Sequence, residues 1–199
     1  MPADRSSEAE ALAALRAGNE AALDAVMSRW QRPLFAFAWR YLRNRADAED
    51  AVIETFVRLH ERRGRLRADT NLPAWLFTTL ANLCHNQHRW RRRHPGTNGG
   101  ASAASFENQA AAENIPGDSS GASSALENNE AAAAVRAAID RLPHDQRAVL
   151  LLHHYEQLGY REIGAIVGCA ERGVETRLYR ARQKLREELA PFLREVAAR

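Results

Sequence analysis

The sequence predicts an all-α protein made of two small helical domains joined by a flexible linker. Apolar residues recur at spacings of three and four toward both ends of the chain, and no stretch alternates with the two-residue period of a half-buried strand. Between these ends, residues 94 to about 124 are mostly Gly, Ser, Ala and Asn and have too few large apolar groups to build a core. The length of 199 residues suits one ordinary domain or two small ones.

The first block is predicted to contain five helices, at residues 8–17, 20–29, 32–43, 46–62 and 72–92. Pro33 and Pro73 fit the first turns of the third and fifth helices, where a backbone N–H is not needed. The second block is predicted to contain four helices, at residues 129–141, 144–155, 160–167 and 171–190. Pro143, Gly159 and the stretch 168–170 are the breaks between them. These assignments place the domains at 1–93 and 129–199, with a tether at 94–128.

Composition excludes several classes of protein. Hydrophobic residues make up 45% and charged residues 27% of the chain, which excludes wholesale disorder. Cys84 and Cys169 lie too far apart and are too few for a disulfide framework, so both are expected as reduced thiols. The N-terminus lacks the features of a secretory signal, and no stretch approaches the ~18 apolar residues of a membrane span. We therefore expect a cytoplasmic protein. The net charge of +3 is small, so it can favour an acidic partner only if the basic residues are clustered.

The helix at 46–62 carries an acidic face. Its acidic residues are Asp47, Glu49, Asp50 and Glu54. Three of them share one side of the helix, whereas Val52, Phe56 and Leu59 line another. Acidic groups in a first turn also complement the helix dipole, so spacing alone favours a solvated face over a binding surface. The absence of an accompanying base or metal motif argues against catalysis by paired carboxylates.

The helix at 72–92 combines an apolar stripe with one of amides and guanidiniums. The polar stripe consists of Thr79, Asn82, Asn86, Arg89 and Arg93. Amides can hydrogen-bond base edges and arginines can hold phosphates. The helix ends in an arginine cluster around Trp90, an arrangement suited to unstacked bases. Four arginines in five positions exceed what a helix dipole needs, which favours a nucleic-acid surface.

Residues 158–189 have the pattern of a helix-turn-helix. A short helix with Ile163, Ile166 and Val167 inward is followed by a tight turn and a second helix from residue 171. That second helix has an apolar stripe, and its other faces carry Thr176, Arg177, Tyr179, Arg180, Arg182 and Lys184. A recognition helix in a major groove needs this division, so we predict DNA binding.

The order of these features resembles the extracytoplasmic-function (ECF) sigma factors of bacterial RNA polymerase. The segments RNRADAEDAVIETFVRL and AWLFTTLANL resemble region two of that family. The segments IDRLPHDQRAVLLLHHYEQLGYREIGAIVGC and TRLYRARQKLR resemble region four. The resemblance covers almost the whole chain outside the linker. It implies a non-enzymatic protein without metal or cofactor that binds core polymerase, directs it to promoters and helps to open them.

The resemblance also implies roles for named residues. The residues implied to dock on the clamp helices of the largest polymerase subunit are Asp47, Glu49, Asp50 and Glu54. Capture of the melted downstream promoter element falls to Trp75, Asn82, Asn86 and Arg89, beside the loop 64–72. Contact with the upstream element falls to Glu175, Thr176, Arg177, Tyr179, Arg180 and Arg182. The polymerase flap and an anti-sigma factor, which can hold the protein near the membrane, are further implied partners.

Two other interpretations are open on the sequence alone. A free-standing helix-turn-helix regulator would use the DNA-binding half but leave the acidic helix without a role. A nucleic-acid enzyme or metal-dependent sensor would use Cys84, His85 and His88, although two ligands one turn apart do not make a metal site. Within the sigma interpretation, Glu175 replaces a usual basic residue and can accept from a cytosine amino group. We therefore expect unusual base preference at that position.

Overall fold

The computed structural model describes residues 5–94 and 122–197. These residues form a single 3-10 turn at Arg63–Arg65 and eight helices, which are α1 Arg5–Arg16, α2 Glu20–Leu42, α3 Arg45–Arg62, α4 Leu72–Arg93, α5 Ala122–Asp140, α6 His144–His154, α7 Tyr160–Val167 and α8 Glu171–Ala197. The described residues contain no strand, so the all-α prediction is confirmed.

Asparagine side chains begin three helices of the N-terminal half. The Oδ1 atoms of Asn19, Asn44 and Asn71 accept from the backbone N–H groups of Ala21, Asp47 and Ala74, each at 2.9 Å. Each bond satisfies a donor that the first turn of a helix otherwise leaves unpaired. Pro73 lies in the first turn of α4, as predicted. The starts of α2, α3 and α4 thus follow from local side-chain chemistry.

The predicted break before Pro33 is wrong, because α2 runs through this proline without interruption. A proline inside a helix removes one backbone hydrogen bond, and only packing can offset that cost. Val26, before the proline, and Leu34 and Phe37, after it, are all buried on the core side of α2. Burial of this continuous face holds the helix together, so two predicted helices are one.

Two further boundaries differ from the predictions. Helix α5 begins at Ala122, so residues 122–128, assigned to the linker, are helical. This segment contains Ala, Leu and Glu, which are strong helix formers. Helix α8 continues through Pro191 to Ala197, seven residues beyond its predicted end. Helix α8 packs along α5, and its Glu188, just before the extension, forms an ion pair at 2.8 Å with Arg141, which directly follows α5. The rest of the predicted linker, residues 95–121, lies outside the described residues.

The helices form two groups that pack against each other. Helices α2, α3 and α4 pack together with α1 at their side, and α8 packs against α5, α6 and α7. Helices α2 and α4 also contact α6 and α7, and buried residues from both groups belong to one continuous apolar cluster. None of the helices within 5–94 and 122–197 is long and apolar enough to cross a membrane.

Candidate docking and nucleic-acid surfaces

The outer face of α3 carries acidic and apolar side chains together. Glu49, Asp50 and Ile53 are exposed, and Glu54 is half-buried. Glu49 accepts from Arg45 at 2.8 Å and Glu54 accepts from Arg58 at 2.7 Å, each one helical turn away. These exposed pairs contribute little to stability and leave carboxylate oxygens available to a partner. We call Glu49, Asp50, Ile53, Glu54 and Val57 the α3 surface.

Sequence reasoning missed the apolar part of the α3 surface. The side chains of Ile53 and Val57 are 61% and 43% exposed, one turn apart in the middle of the acidic face. Exposed apolar groups among charges are typical of a surface that binds another protein. The signal was present, because Ile53 and Val57 fall outside the stripe of Val52, Phe56 and Leu59 that the helical period assigns to the core.

Asp47 does not belong to the α3 surface, although it was predicted to dock on polymerase with the other acids. Its carboxylate forms an ion pair with Arg91 of α4, and only 15% of its side chain is exposed. Burial raises the pKa of this carboxyl above its usual value, while Arg91 opposes the rise. The structure therefore gives Asp47 a role in fixing α4 to α3.

Helix α4 presents an exposed polar stripe. Asn82, Asn86 and Arg89 are exposed at successive turns, and Arg93 continues the stripe at the end of the helix. Trp90 is 47% exposed and stacks on His94, with ring centroids 5.0 Å apart. Amides, guanidiniums and a stacked indole are the groups that hold unstacked bases and their phosphates. We call Asn82, Asn86 and Arg89 the amide stripe.

Trp75 is placed differently from the rest of its predicted set. It is half-buried and packs against the apolar cluster at the start of α4, almost two turns before Asn82. Only part of its ring is therefore available to a base. The structure brings together three of the four residues predicted for the downstream element and leaves the fourth at their edge.

The turn between α7 and α8 is built by two glycines. Gly168 ends α7 with φ at +67°, a left-handed conformation that costs glycine little, and its N–H bonds to the Gly164 carbonyl. The Cys169 N–H also donates to the Gly164 carbonyl, at 3.0 Å. A Cβ atom at Gly164 would lie 2.5 Å from the Cys169 carbonyl oxygen. Only glycine at 164 lets the chain turn this tightly, and α8 then begins at Glu171, as predicted.

Helix α8 buries its apolar stripe and exposes polar groups over its first three turns. Val174, Leu178 and Ala181 are buried. The exposed residues are Glu171, Arg172, Glu175, Thr176, Tyr179, Arg180 and Arg182. Tyr179 is 61% exposed, and its hydroxyl accepts from Gln183 at 3.0 Å. This is the division that a helix entering a major groove needs.

Arg177 is turned away from that exposed face. Its Nη1 donates to the Cys169 sulfur at 3.1 Å, and its Nε lies 3.4 Å from an oxygen of Asp145. The guanidinium therefore joins α8 to the turn and to the start of α6. Arg177 was predicted to contact the upstream element together with the exposed residues of α8, and in the structure its guanidinium makes these internal contacts.

The alternative metal site at Cys84, His85 and His88 does not form. Cys84 is fully buried in the core, and burial raises the pKa of its thiol to about 12. His85 stacks on His144, and His88 contacts the Tyr41 ring edge-on. Within the described part of the chain, no three histidine, cysteine or acidic side chains are grouped to hold a metal ion.

Comparison with known proteins assigns both halves of the chain. Residues 26–94 match sigma-70 region 2, and residues 132–185 match sigma-70 region 4. The ECF RNA polymerase sigma factor EcfG of Rhodopseudomonas palustris is 37% identical over 152 residues, which are 76% of this chain and 76% of that protein. The chain belongs to the ECF sigma factor family. The match to region 4 ends within α8, so the α8 extension lies beyond it.

Two solved structures share the fold of this ECF sigma factor. The structure of CnrH in complex with the cytosolic domain of CnrY superposes with a TM-score of 0.66 at 23% identity, covering 92% of this chain and 97% of that one. The sigma factor RpoE of Bartonella quintana, in complex with the anti-sigma factor NepR, has a TM-score of 0.56 at 26% identity, covering 84% and 96%. The two-part helical fold predicted from the sequence is confirmed.

Proposed function

We propose that this ECF sigma factor docks on core RNA polymerase through the α3 surface, holds single-stranded promoter DNA on the amide stripe and reads duplex DNA with α8. The observation that carries the proposal is that three exposed surfaces of different chemistry, acidic-apolar, amide-arginine and basic-aromatic, lie on three helices of one chain. A free-standing regulator would need only the basic-aromatic surface of α8. The energy for promoter opening comes from binding, so no catalytic group is required.

The α3 surface is suited to a protein partner with basic groups. Glu49, Asp50 and Glu54 attract such groups and orient the encounter, while Ile53 and Val57 supply apolar area at the centre of the contact. The ion pairs with Arg45 and Arg58 are exposed and exchange readily for intermolecular ones. Clamp helices of the largest polymerase subunit are the partner proposed for this surface.

The two nucleic-acid surfaces suit different forms of DNA. The amide stripe offers donors and acceptors to base edges that are accessible only after the strands separate. The exposed face of α8 presents Tyr179, Arg180 and Arg182 on a helix of the width that a major groove admits. Together they let one chain bind an upstream duplex element and a melted downstream element.

We extend the partner proposal to an anti-sigma factor. The similar RpoE of Bartonella quintana was solved with the anti-sigma factor NepR. Ile53 and Val57 are exposed among acidic residues, and exposed apolar area favours nonspecific association. A protein that binds the α3 surface when polymerase is absent would prevent such association. We propose a cytoplasmic location near such a partner.

Polymerase docking is tested by removing charge and apolar area while leaving Asp47 in place. In the E49Q, D50N, I53S and E54Q quadruple variant we expect at least tenfold weaker binding to core polymerase, since several contacts of one surface are lost together. Co-elution with core enzyme and promoter-directed transcription measure the effect. If the quadruple variant bound core polymerase as strongly as the wild-type protein does, the α3 assignment would be contradicted. If the wild-type protein bound promoter DNA without polymerase, the free-standing regulator would be favoured.

The matched control is D47N. Because this change removes the partner of half-buried Arg91, we expect it to lower the free energy of unfolding by about 1–3 kcal/mol while binding changes less than in the quadruple variant. Urea unfolding of both proteins separates the two effects. Loss of binding in D47N at unchanged stability would return Asp47 to the docking set.

The role of α8 predicts a change in salt dependence. Replacing exposed Arg180 with Gln removes one charge from the face proposed to meet DNA. If Arg180 contacts a phosphate, the slope of log affinity against log salt for the polymerase complex on upstream duplex falls by about 1. The same change at the half-buried Arg177 is the control, and its slope is expected to stay near the wild-type value. Equal slopes for wild type and R180Q would contradict the assignment.

A further inference from the structure

The guanidinium of Arg177 joins three parts of the helix-turn-helix half. Its Nη1 atom donates to the sulfur of Cys169 at 3.1 Å, and its Nε atom lies 3.4 Å from a carboxylate oxygen of Asp145. Cys169 is in the turn between α7 and α8, and Asp145 is in the first turn of α6. One side chain of α8 therefore contacts both the turn that precedes the helix and the start of a neighbouring helix. We call Cys169, Arg177 and Asp145 the Arg177 bridge.

The Cys169 sulfur lies close to the backbone of α8. A Cβ atom at Gly173 would be 3.1 Å from this sulfur, so a side chain at that position would displace it. Gly173 and Arg177 are one turn apart on the same face of α8. The backbone N–H of Cys169 donates to the Gly164 carbonyl at 3.0 Å, which ties the residue to α7. Cys169 is thus fixed to α7 through its backbone and to α8 through its sulfur.

Burial of the apolar stripe sets the rotation of α8 about its axis less narrowly than the Arg177 bridge does. Val174, Leu178 and Ala181 are buried, and their side chains contain no polar atom. The hydrophobic effect depends on the area removed from water and is not directional. A guanidinium, in contrast, donates from a rigid planar fork, so its two contacts are satisfied over a narrow range of angles.

The rotation of α8 matters because the neighbours of Arg177 form the face proposed to meet DNA. Thr176 precedes it, Tyr179 and Arg180 follow within one turn, and all three are exposed. A helix with its side chains is about 10–12 Å across, so a rotation of ~20° moves a side-chain tip by about 2 Å. Donor–acceptor distances in N–H···O hydrogen bonds vary by only about 0.5 Å. A small rotation of α8 would therefore break its hydrogen bonds to base edges.

We propose that Arg177 is a positioning residue for promoter selection, which holds the exposed face of α8 at the angle that the upstream bases require. The proposal rests on the proposed function, since it needs α8 to read duplex DNA. It differs from the role implied by the family resemblance, in which Arg177 itself contacts the upstream element. A positioning residue affects the preference for one sequence over another, whereas a residue that contacts phosphate affects binding to every duplex.

The R177M and R177K variants test this role. Met keeps an apolar stem and removes every donor, and Lys keeps the positive charge but lacks the planar fork. The first probe is the duplex that the wild-type complex with core polymerase selects from a library randomised in the upstream region, and the second is its scrambled version. We expect both variants to bind the selected duplex roughly tenfold more weakly, an effect similar to one mismatched base pair. Affinity for the scrambled duplex should not change.

Salt dependence separates positioning from a phosphate contact. With positioning, the slope of log affinity against log salt keeps its wild-type value in R177M and R177K, because no phosphate contact is lost. A different result would assign Arg177 to a phosphate and overturn the proposal. In that result, the slope falls by about 1 in R177M, and R177K binds both duplexes as the wild-type protein does.

The matched control is R141M, which makes the same substitution and breaks another ion pair of α8, that of Arg141 with Glu188 at 2.8 Å. Glu188 is about three turns beyond Arg177, so R141M should bind both duplexes as the wild-type protein does. Binding is measured well below the unfolding temperature of each variant, which circular dichroism provides. If R177M is less stable than the wild-type protein but prefers the selected duplex equally strongly, Arg177 is only structural and the proposal is wrong.

The two partners of Arg177 provide a second test. C169A removes the sulfur acceptor and D145A removes the carboxylate. Each is expected to weaken binding to the selected duplex by about threefold, which is within the usual contribution of one hydrogen bond. If both act through Arg177, adding them to R177M should weaken binding no further. Equal effects of C169A and D145A with and without Arg177 would show that they act independently, which contradicts the Arg177 bridge.

Failure of the proposed function would be distinguishable from failure of the Arg177 bridge. If the wild-type complex selects no upstream sequence, the proposed reading of duplex DNA by α8 is wrong. Urea unfolding of wild type, R177M, C169A/D145A and the triple variant then still measures the coupling of Arg177 to its partners, and zero coupling overturns the bridge. If the wild-type protein, R177M and R177K all prefer the selected duplex equally, the proposed function stands and the positioning role is wrong.

Discussion

The G164A variant is expected to lose the DNA-binding geometry of the helix-turn-helix half. An alanine Cβ at 164 would lie 2.5 Å from the carbonyl oxygen of Cys169, well inside the closest approach of real Cβ atoms. The obstructing atom is backbone in a tight turn, so no side chain can swing aside. Overpacking costs about 1–3 kcal/mol and occasionally more, and the helix propensity of alanine offsets at most about 1 kcal/mol.

We therefore expect G164A to lower the free energy of unfolding by about 2 kcal/mol, and α8 to move relative to α7. Displacement of the recognition helix should weaken polymerase-dependent binding to upstream duplex by about thirtyfold, the equivalent of about 2 kcal/mol. G64A is the matched control, because a Cβ at Gly64 has no neighbour within 4 Å. Equal stability of G164A and wild type would show that the turn relaxes at no cost.

The F37A variant is expected to destabilise the N-terminal half by about 3–5 kcal/mol, the usual cost of truncating a buried phenylalanine. Phe37 is fully buried, and its ring packs edge-on against Phe77 of α4 with centroids 5.8 Å apart. Phe77 in turn meets Trp30 at 6.2 Å. These rings fix α4 against α2, so the cavity left by the truncation would loosen the helix that carries the amide stripe.

Urea unfolding measures the loss of stability in F37A, and transcription with core polymerase measures its consequence for the amide stripe. The control is M27A on the same helix, where the side chain is 36% exposed and truncation should cost well under 1 kcal/mol. A loss below 1 kcal/mol in F37A would mean that the aromatic cluster collapses around the gap and does not position α4.

Features set by neighbouring residues could be predicted from the sequence. The start of α4 at Leu72, next to Pro73, and the turn before Glu171 follow from capping, proline and glycine chemistry within a few residues. The apolar stripes of α3, α4 and α8 follow from the helical period. The same period predicts the amide stripe and most of the exposed face of α8, because a residue that falls outside an apolar stripe faces solvent unless another helix covers it.

Features set by distant residues could not be predicted in this way. Pro33 remains inside α2 because residues before and after it are buried in the same core, whereas local rules take account only of the missing hydrogen bond. The pairing of Asp47 with Arg91 joins residues on different helices, and Arg147 reaches Tyr41 across 106 positions. The periodicity of one helix carries no information about such pairs, so neither the ion pair of Asp47 nor the contact between the two halves could be predicted from it.

Two of the hydrogen bonds between the two groups of helices end on main-chain oxygens, since Arg147 donates to the Tyr41 carbonyl and Thr78 to the Ile166 carbonyl. Every amino acid supplies such an oxygen, so substitution at either acceptor position leaves the acceptor itself in place. The donors have no such freedom, because only a side chain that carries a hydrogen-bond donor can replace Thr78 or Arg147 in that role. Mutations therefore remove these two hydrogen bonds mainly when they change the donor residues, Thr78 and Arg147. A single substitution at Thr78 or at Arg147 could therefore remove one of the hydrogen bonds that join the two halves.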